Sequence, residues 1–212
     1  MRQIAIFGGT FDPVHLGHLI VAETALHQVS LEQVIWVPSL NPPHKQAALF
    51  EHRLAMIQHA IADNPGFRLA GVEANRPGTS YAIDTLIDLS AVYPQTQWYW
   101  IVGLDTFRTL PRWYRVAELA KLCHWLIAPR LLSCETKVES EFICTQVEEQ
   151  MKEQYSIICW QLLHVPLVGV SSSLIRNLCR DRHSIRYLVP ESVRNYITHH
   201  NLYAGYEGGK RK

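Results

Sequence analysis

No sign of charge dominates this chain: 20 Lys and Arg face 19 Asp and Glu across 212 residues, a formal net charge of +1. A protein that relies on polyphosphate backbones such as DNA needs a surplus of cations, so nucleic-acid partners are disfavoured, whereas a local anion site is not. Cysteine pairs at C-x-x-C spacing are missing, and the Cys count, 5, is odd. Both facts argue against a disulfide framework and against a cysteine-based zinc site. No apolar run reaches the roughly 18 residues of a membrane span, Glu23 interrupting the longest early candidate. The N-terminus lacks a basic stretch followed by an apolar core, the mark of a secretory signal. The expectation is a cytoplasmic protein of a reducing compartment, with no membrane contact. At 48% apolar residues, a chain of this length can bury one core large enough to need no staples.

What is present alternates between two periods. Gln3–Phe7 is an apolar run whose end is predicted at the Gly8-Gly9 pair, and a helical pattern starts at Leu16. Strand-like runs recur at Val34–Val37, Phe67–Ala70, Trp98–Val102, His124–Ala128 and Ile157–Val165. Helical spacing falls between them at Leu49–Ala62, Tyr81–Tyr93 and Val116–Leu122, and after them at Ser171–Cys179 and Pro190–His199. Such alternation implies right-handed βαβ units. The expected fold is α/β: a single Rossmann-like, doubly wound, mostly parallel sheet with a small C-terminal helical part. One domain over 1–205 is predicted. Within it Leu131–Tyr155, rich in Glu, Gln and Lys, reads as a partly helical surface insertion, and 206–212 as a disordered tail.

The sharpest signal is Gly8–His18, GGTFDPVHLGH, where the first strand ends. Ligands of open parallel sheets bind outside the carboxyl ends of the strands. The glycines of such a turn admit an anion, and the next helix presents unpaired N–H groups and a partial positive charge. His15 and His18 fall on neighbouring positions of one helical face, where imidazole donors suit phosphate oxygens. The commoner role of a lone His is a loop cap or a core residue. Two of them beside Gly-Gly at a strand-to-helix turn shift the balance towards a site. Neither G-x-G-x-x-G nor the Walker A pattern is present. A zinc site on these two His lacks both the H-E-x-x-H spacing and a third ligand.

GGTFDPVHLGH resembles the signature of the H-x-G-H nucleotidyltransferases. The rest of the chain is similar to the bacterial nicotinate mononucleotide adenylyltransferase family. The similarity runs through VPSLNPPHK (Val37–Lys45), RLAM (Arg53–Met56), TSY (Thr79–Tyr81), IVGLDT (Ile101–Thr106), LPRWY (Leu110–Tyr114) and VSSSLIR (Val170–Arg176). By itself VSSSLIR is either an ordinary capped helix or a second anion site; the resemblance implies that Ser171, Ser172, Ser173 and Arg176 hold the ATP β- and γ-phosphates. Lys45, beside His44 on a proline-stiffened loop, is a solvated lysine or a phosphate ligand. Asp105, after Gly103, is a helix cap or a partner for ribose hydroxyls, and the resemblance implies the adenosine ribose. Paired aromatics such as Trp113 and Tyr114 more often seal a core edge. The resemblance implies instead that Trp113 stacks on the pyridine ring while the Tyr114 and Ala82 amides hold its carboxylate. Thr79 and Tyr81 complete the mononucleotide set, and Gly8, Gly9, Thr10 and Phe11 the ATP set.

The implied reaction joins ATP and nicotinate mononucleotide to give nicotinate adenine dinucleotide and pyrophosphate. The attacking phosphate is already anionic, so positioning and charge stabilisation suffice. His18 is assigned to the α-phosphoryl oxygens, His15 to the β/γ side, and Arg176 to the leaving group. Mg²⁺ is expected on the triphosphate and water, with no protein metal site. Still open at this point are a nicotinamide mononucleotide or phosphopantetheine acceptor, a silent nucleotide-binding module, and pairing with a second copy of the chain. Nucleic-acid binding through the basic tail Lys210–Lys212 is disfavoured.

Overall fold

The computed structural model describes residues 1–40, 47–72, 81–129, 137–155, 157–166 and 168–205. Its centre is a parallel sheet of strands β1 (Arg2–Gly9), β2 (Gln33–Pro38), β3 (Phe67–Leu69), β4 (Thr96–Gly103), β5 (Cys123–Ala128) and β6 (Trp160–Leu162), ordered β3-β2-β1-β4-β5-β6. The chain moves outward from β1 to β3, then returns to pair β4 with the other side of β1. That reversal splays the connections apart and opens a crevice beyond the carboxyl ends of β1 and β4.

Both faces of the sheet are buried, as its apolar strands require. On one face Ile4, Ile6, Trp98, Trp100, Val102, Trp125 and Ile127 pack under α3 (Ala82–Val92), α5 (Val116–Leu122) and α6 (Lys137–Gln154). The alternate residues Ala5, Phe7, Val34, Trp36, Ile101 and Leu126 meet α1 (Leu16–Gln28), α2 (Phe50–Ile61), α7 (Ser172–Arg180) and α8 (Glu191–His199). Each fully buried Ile, Val or Phe contributes about 1.5–3 kcal/mol. A short α4 (Leu104–Phe107) follows β4 directly.

Three sequence expectations change. Strand β1 ends at Gly9 but not in a glycine turn: Gly8 and Gly9 are paired with Val37 and Pro38, and the left-handed turn falls later, at Phe11 (φ 50°). Leu131–Tyr155 is no add-on where it is described. It carries α6, the crossover between β5 and β6, and buries Cys144, Val147 and Met151 in the core. Its polar composition reflects the other face. The last strand is also shorter than Ile157–Val165, and the Gln28 carboxamide covers backbone groups on its outer edge. Gln28 Nε2 donates to the Leu162 carbonyl at 2.9 Å, and Gln28 Oε1 accepts the His164 N–H at 2.8 Å. The glycine- and proline-marked stretch Asn75–Ser80, which its composition predicts to be a loop, and the expected tail 206–212 lie outside the described residues.

Candidate active site

The switch-point crevice is a cleft of about 600 Å³. Gly8, Gly9, Thr10, Phe11, His15, His18, Gly103, Asp105, Ser171, Ser172, Ser173 and Arg176, all assigned to ATP from the sequence, line it. Asp12, Gly17, Thr106 and an apolar wall including Val165, Pro166 and Val168 join them without having been singled out.

The two histidines are fixed by helix capping. His15 is the N-cap of α1, in extended backbone, and its Nδ1 accepts the His18 N–H at 3.4 Å. His18 Nδ1 in turn accepts the His15 N–H at 3.3 Å, closing a capping box in which imidazoles replace the usual hydroxyl and carboxylate. With Nδ1 of each ring serving as the acceptor, the donor each presents is Nε2–H, suited to an anionic oxygen. The rings stack with centroids 3.7 Å apart. Phe11 backs His18 edge-on at 5.0 Å. Glycine leaves room on both sides of this arrangement. A Cβ on Gly17 would stand 3.0 Å from His15 Nδ1, and one on Gly9 would stand 2.9 Å from the Phe11 ring.

The second helix N-terminus faces the same cleft. Ser171 is its N-cap, accepting the Leu174 N–H at 3.2 Å. Ser172 donates its hydroxyl to the Pro13 carbonyl at 2.9 Å, joining α7 to the β1–α1 turn. Ser173 Oγ accepts from Arg176 Nη2 at 3.2 Å, and Arg176 Nη1 donates to the Asp12 carbonyl at 2.6 Å. Arg176 is therefore set before any ligand arrives. The cap of α4 is Gly103, with no side-chain cap bond, so Asp105 is not the N-cap; it sits exposed in the first turn, on the cleft.

Beneath the turn lies Arg53, 1% exposed. Its guanidinium donates to the carbonyls of Thr10 (2.9 Å), Leu40 (3.2 Å) and Ala48 (3.0 Å). RLAM was visible in the sequence, but nothing there showed what the arginine holds.

Tyr81, Ala82, Trp113 and Tyr114 gather away from that cleft. Tyr81 and Tyr114 bring their rings to 4.3 Å, and Arg115 reaches Asp84 of α3 at 3.6 Å. Ala82 opens α3, so its N–H has no intrahelical acceptor. Trp113 is half-buried, edge-on to Trp100 and Trp125, with Nε1 donating to Thr109 Oγ1 at 3.1 Å. Trp100 links the two regions, since it also lies against Gly8. Lys45 and Thr79 fall outside the described residues.

Comparison with known proteins decides the family. Residues 6–178 match the cytidylyltransferase-like family. A curated relative from Trichormus variabilis, named "probable nicotinate-nucleotide adenylyltransferase", is 65% identical over 96% of this chain and 98% of its own. The chain belongs to the nicotinate-nucleotide adenylyltransferases. One from Lachnoclostridium phytofermentans, bearing the same name, is 37% identical over 96% of this chain and all of its own. Among solved structures, the Plasmodium falciparum nicotinic acid mononucleotide adenylyltransferase complexed with NaAD superimposes with TM-score 0.76 at 19% identity. It covers 96% of this chain and 98% of that one, a likeness of fold.

Proposed function

We propose that ATP lies across the cleft with its triphosphate between the N-termini of α1 and α7, and that this chain transfers its AMP to nicotinate mononucleotide. The observation that carries this reading is the convergence of two helix N-termini, each with its own charge or donor set, on one crevice. An oxygen of the mononucleotide phosphate attacks the α-phosphorus in line. A P–O bond forms, the bond from the α-phosphorus to the bridging oxygen breaks, and pyrophosphate leaves.

His18 Nε2–H donates to the α-phosphoryl oxygens and His15 Nε2–H to the β/γ side. Arg176 takes the departing pyrophosphate. The Ser171 and Ser173 hydroxyls, which serve the protein as acceptors, turn their protons to it. Ser172 contributes its main-chain N–H, because its hydroxyl proton is engaged with Pro13. Asp105 accepts from the ribose hydroxyls. Tyr81, Ala82, Trp113 and Tyr114 form the mononucleotide side, with Lys45 and Thr79 retained there on the sequence reading.

Among the described residues no group of three or more His, Cys, Asp or Glu is placed to hold a metal ion. The cleft's carboxylates are Asp12 and Asp105. That donor set suits Mg²⁺ carried by the triphosphate and water, with Asp105 within the same cleft. When bound, the ion neutralises triphosphate charge. Among the described residues no helix is long and apolar enough to cross a membrane, and we place the reaction in the cytoplasm. Association with a second copy of the chain is compatible with this reading and is not required by it.

The test is pyrophosphate release from MgATP with nicotinate and nicotinamide mononucleotides side by side. Faster turnover with nicotinate is expected. Turnover with neither would leave a nucleotide-binding module.

A further inference from the structure

We propose that Tyr203, 191 residues from the phosphate turn in sequence, is a positioning residue for the pyrophosphate half of the cleft, acting through Asp12 on Arg176. The inference rests on the assignment of Arg176 to the leaving pyrophosphate.

Asp12 is 3% exposed, an unusual place for a carboxylate beside an anion site. Its Oδ1 accepts the Tyr203 hydroxyl at 2.7 Å and the Ala48 N–H at 3.2 Å. Its Oδ2 stands 3.8 Å from Arg176 Nη1, and its main-chain carbonyl accepts that same nitrogen at 2.6 Å. The phenol is 8% exposed. Burial and then the Asp12 charge hold its proton on, so it remains a donor.

A buried carboxylate turns about its last side-chain bond to satisfy both oxygens. With two donors on Oδ1, the group is held so that Oδ2 faces Arg176 without closing on it. The arginine then stays a cation on the cleft instead of collapsing into a tight ion pair. Without the Tyr203 hydroxyl, the under-satisfied carboxylate competes with pyrophosphate for the guanidinium. Tyr203 thus makes the C-terminal segment part of the site's support, although it does not itself line the cleft.

Tyr203→Phe removes the hydroxyl and keeps the buried ring. Titration calorimetry with magnesium pyrophosphate and with AMP separates the two halves of the site. The expected result is pyrophosphate affinity lower by about fivefold to tenfold, with AMP affinity unchanged. The KM for ATP should rise in parallel, and that for nicotinate mononucleotide should stay put. In an Arg176→Met background, Tyr203→Phe should cause no further loss of pyrophosphate affinity. The proposal is overturned by unchanged pyrophosphate affinity, by equal losses for pyrophosphate and AMP, or by the same loss in both backgrounds. Wild-type protein that binds pyrophosphate but does not turn over nicotinate mononucleotide would sink the functional reading and leave this coupling standing. Pyrophosphate affinity unaffected by Arg176→Met alone would remove the arginine assignment and this inference with it.

Discussion

The imidazoles of His15 and His18 hold each other through the backbone: each Nδ1 accepts the other residue's main-chain N–H, and the rings lie stacked 3.7 Å apart. One side of each ring therefore belongs to the fold of α1, and the opposite nitrogen to the phosphate role proposed for it. This division makes the two contributions separable by substitution.

His18→Asn places a carboxamide oxygen where Nδ1 stood, so the His15 N–H keeps an acceptor. The Nε2 donor is lost. Stability is expected to stay within about 1 kcal/mol of wild type, while kcat falls by about 10²–10³. His18→Ala should lose the same activity and in addition the cap. Thermal midpoints and pyrophosphate-release rates measured together check this, and near-wild-type kcat in either variant would refute the assignment of His18.

Gly17→Ala sets stability against activity. Alanine is the better helix residue by roughly 1 kcal/mol, but its Cβ would lie 3.0 Å and 3.1 Å from His15 Nδ1 and Cε1. The ring must give way by a few tenths of an ångström. We expect a thermal midpoint equal to or above wild type with kcat/KM lower by about tenfold. Loss of both together would mean that the His15 ring cannot give way without disturbing the cap of α1.

These two residues mark how far the sequence could be read. The sheet was legible because alternating apolar residues have to face two cores, and the strands fell within a few residues of their expected places. The turn before α1 was legible as a cleft-lining segment because Gly-Gly and paired His are rare before a helix. The capping box was not, since imidazoles are unusual caps and the pairing depends on the extended backbone at His15. Expecting a break at Gly8-Gly9 followed from glycine's freedom. In the fold both glycines stay in the strand, and at Gly9 the missing side chain makes room for Phe11. Tyr203 had no local signal at all, because its partner Asp12 lies at the other end of the chain.

Arg53 is the cation on which the turn rests. Its three bonds to carbonyls join Thr10 to Leu40 and Ala48, so its loss strips donors from three backbone acceptors at once. Arg53→Met leaves three partly buried carbonyls without that donor and is expected to destabilise the protein by about 3–5 kcal/mol, which lowers the midpoint by roughly 10 °C in a chain of this size. Lysine should recover less than half of this, because an ammonium cannot fork towards three separated oxygens. A midpoint unchanged in Arg53→Met would show that water can replace the guanidinium.

The acid limb of stability should carry a contribution from His200, at the contact between α2 and α8. Tyr196 accepts or donates at His52 Nδ1 (3.0 Å) and lies against His200 at 4.2 Å, with His59 and His199 close by. Burial first, then the neighbours His199 and His52, lower the His200 pKa from its ordinary 6.5. The folded state thus binds a proton less readily than the unfolded chain. This contribution is complete above about pH 6.5 and is lost as pH falls through the lowered folded value. Midpoints recorded from pH 7.5 down to 5 should fall less steeply for His200→Asn than for wild type. The effect should be small, since the ring is solvent-exposed, and equal slopes would place the acid sensitivity elsewhere.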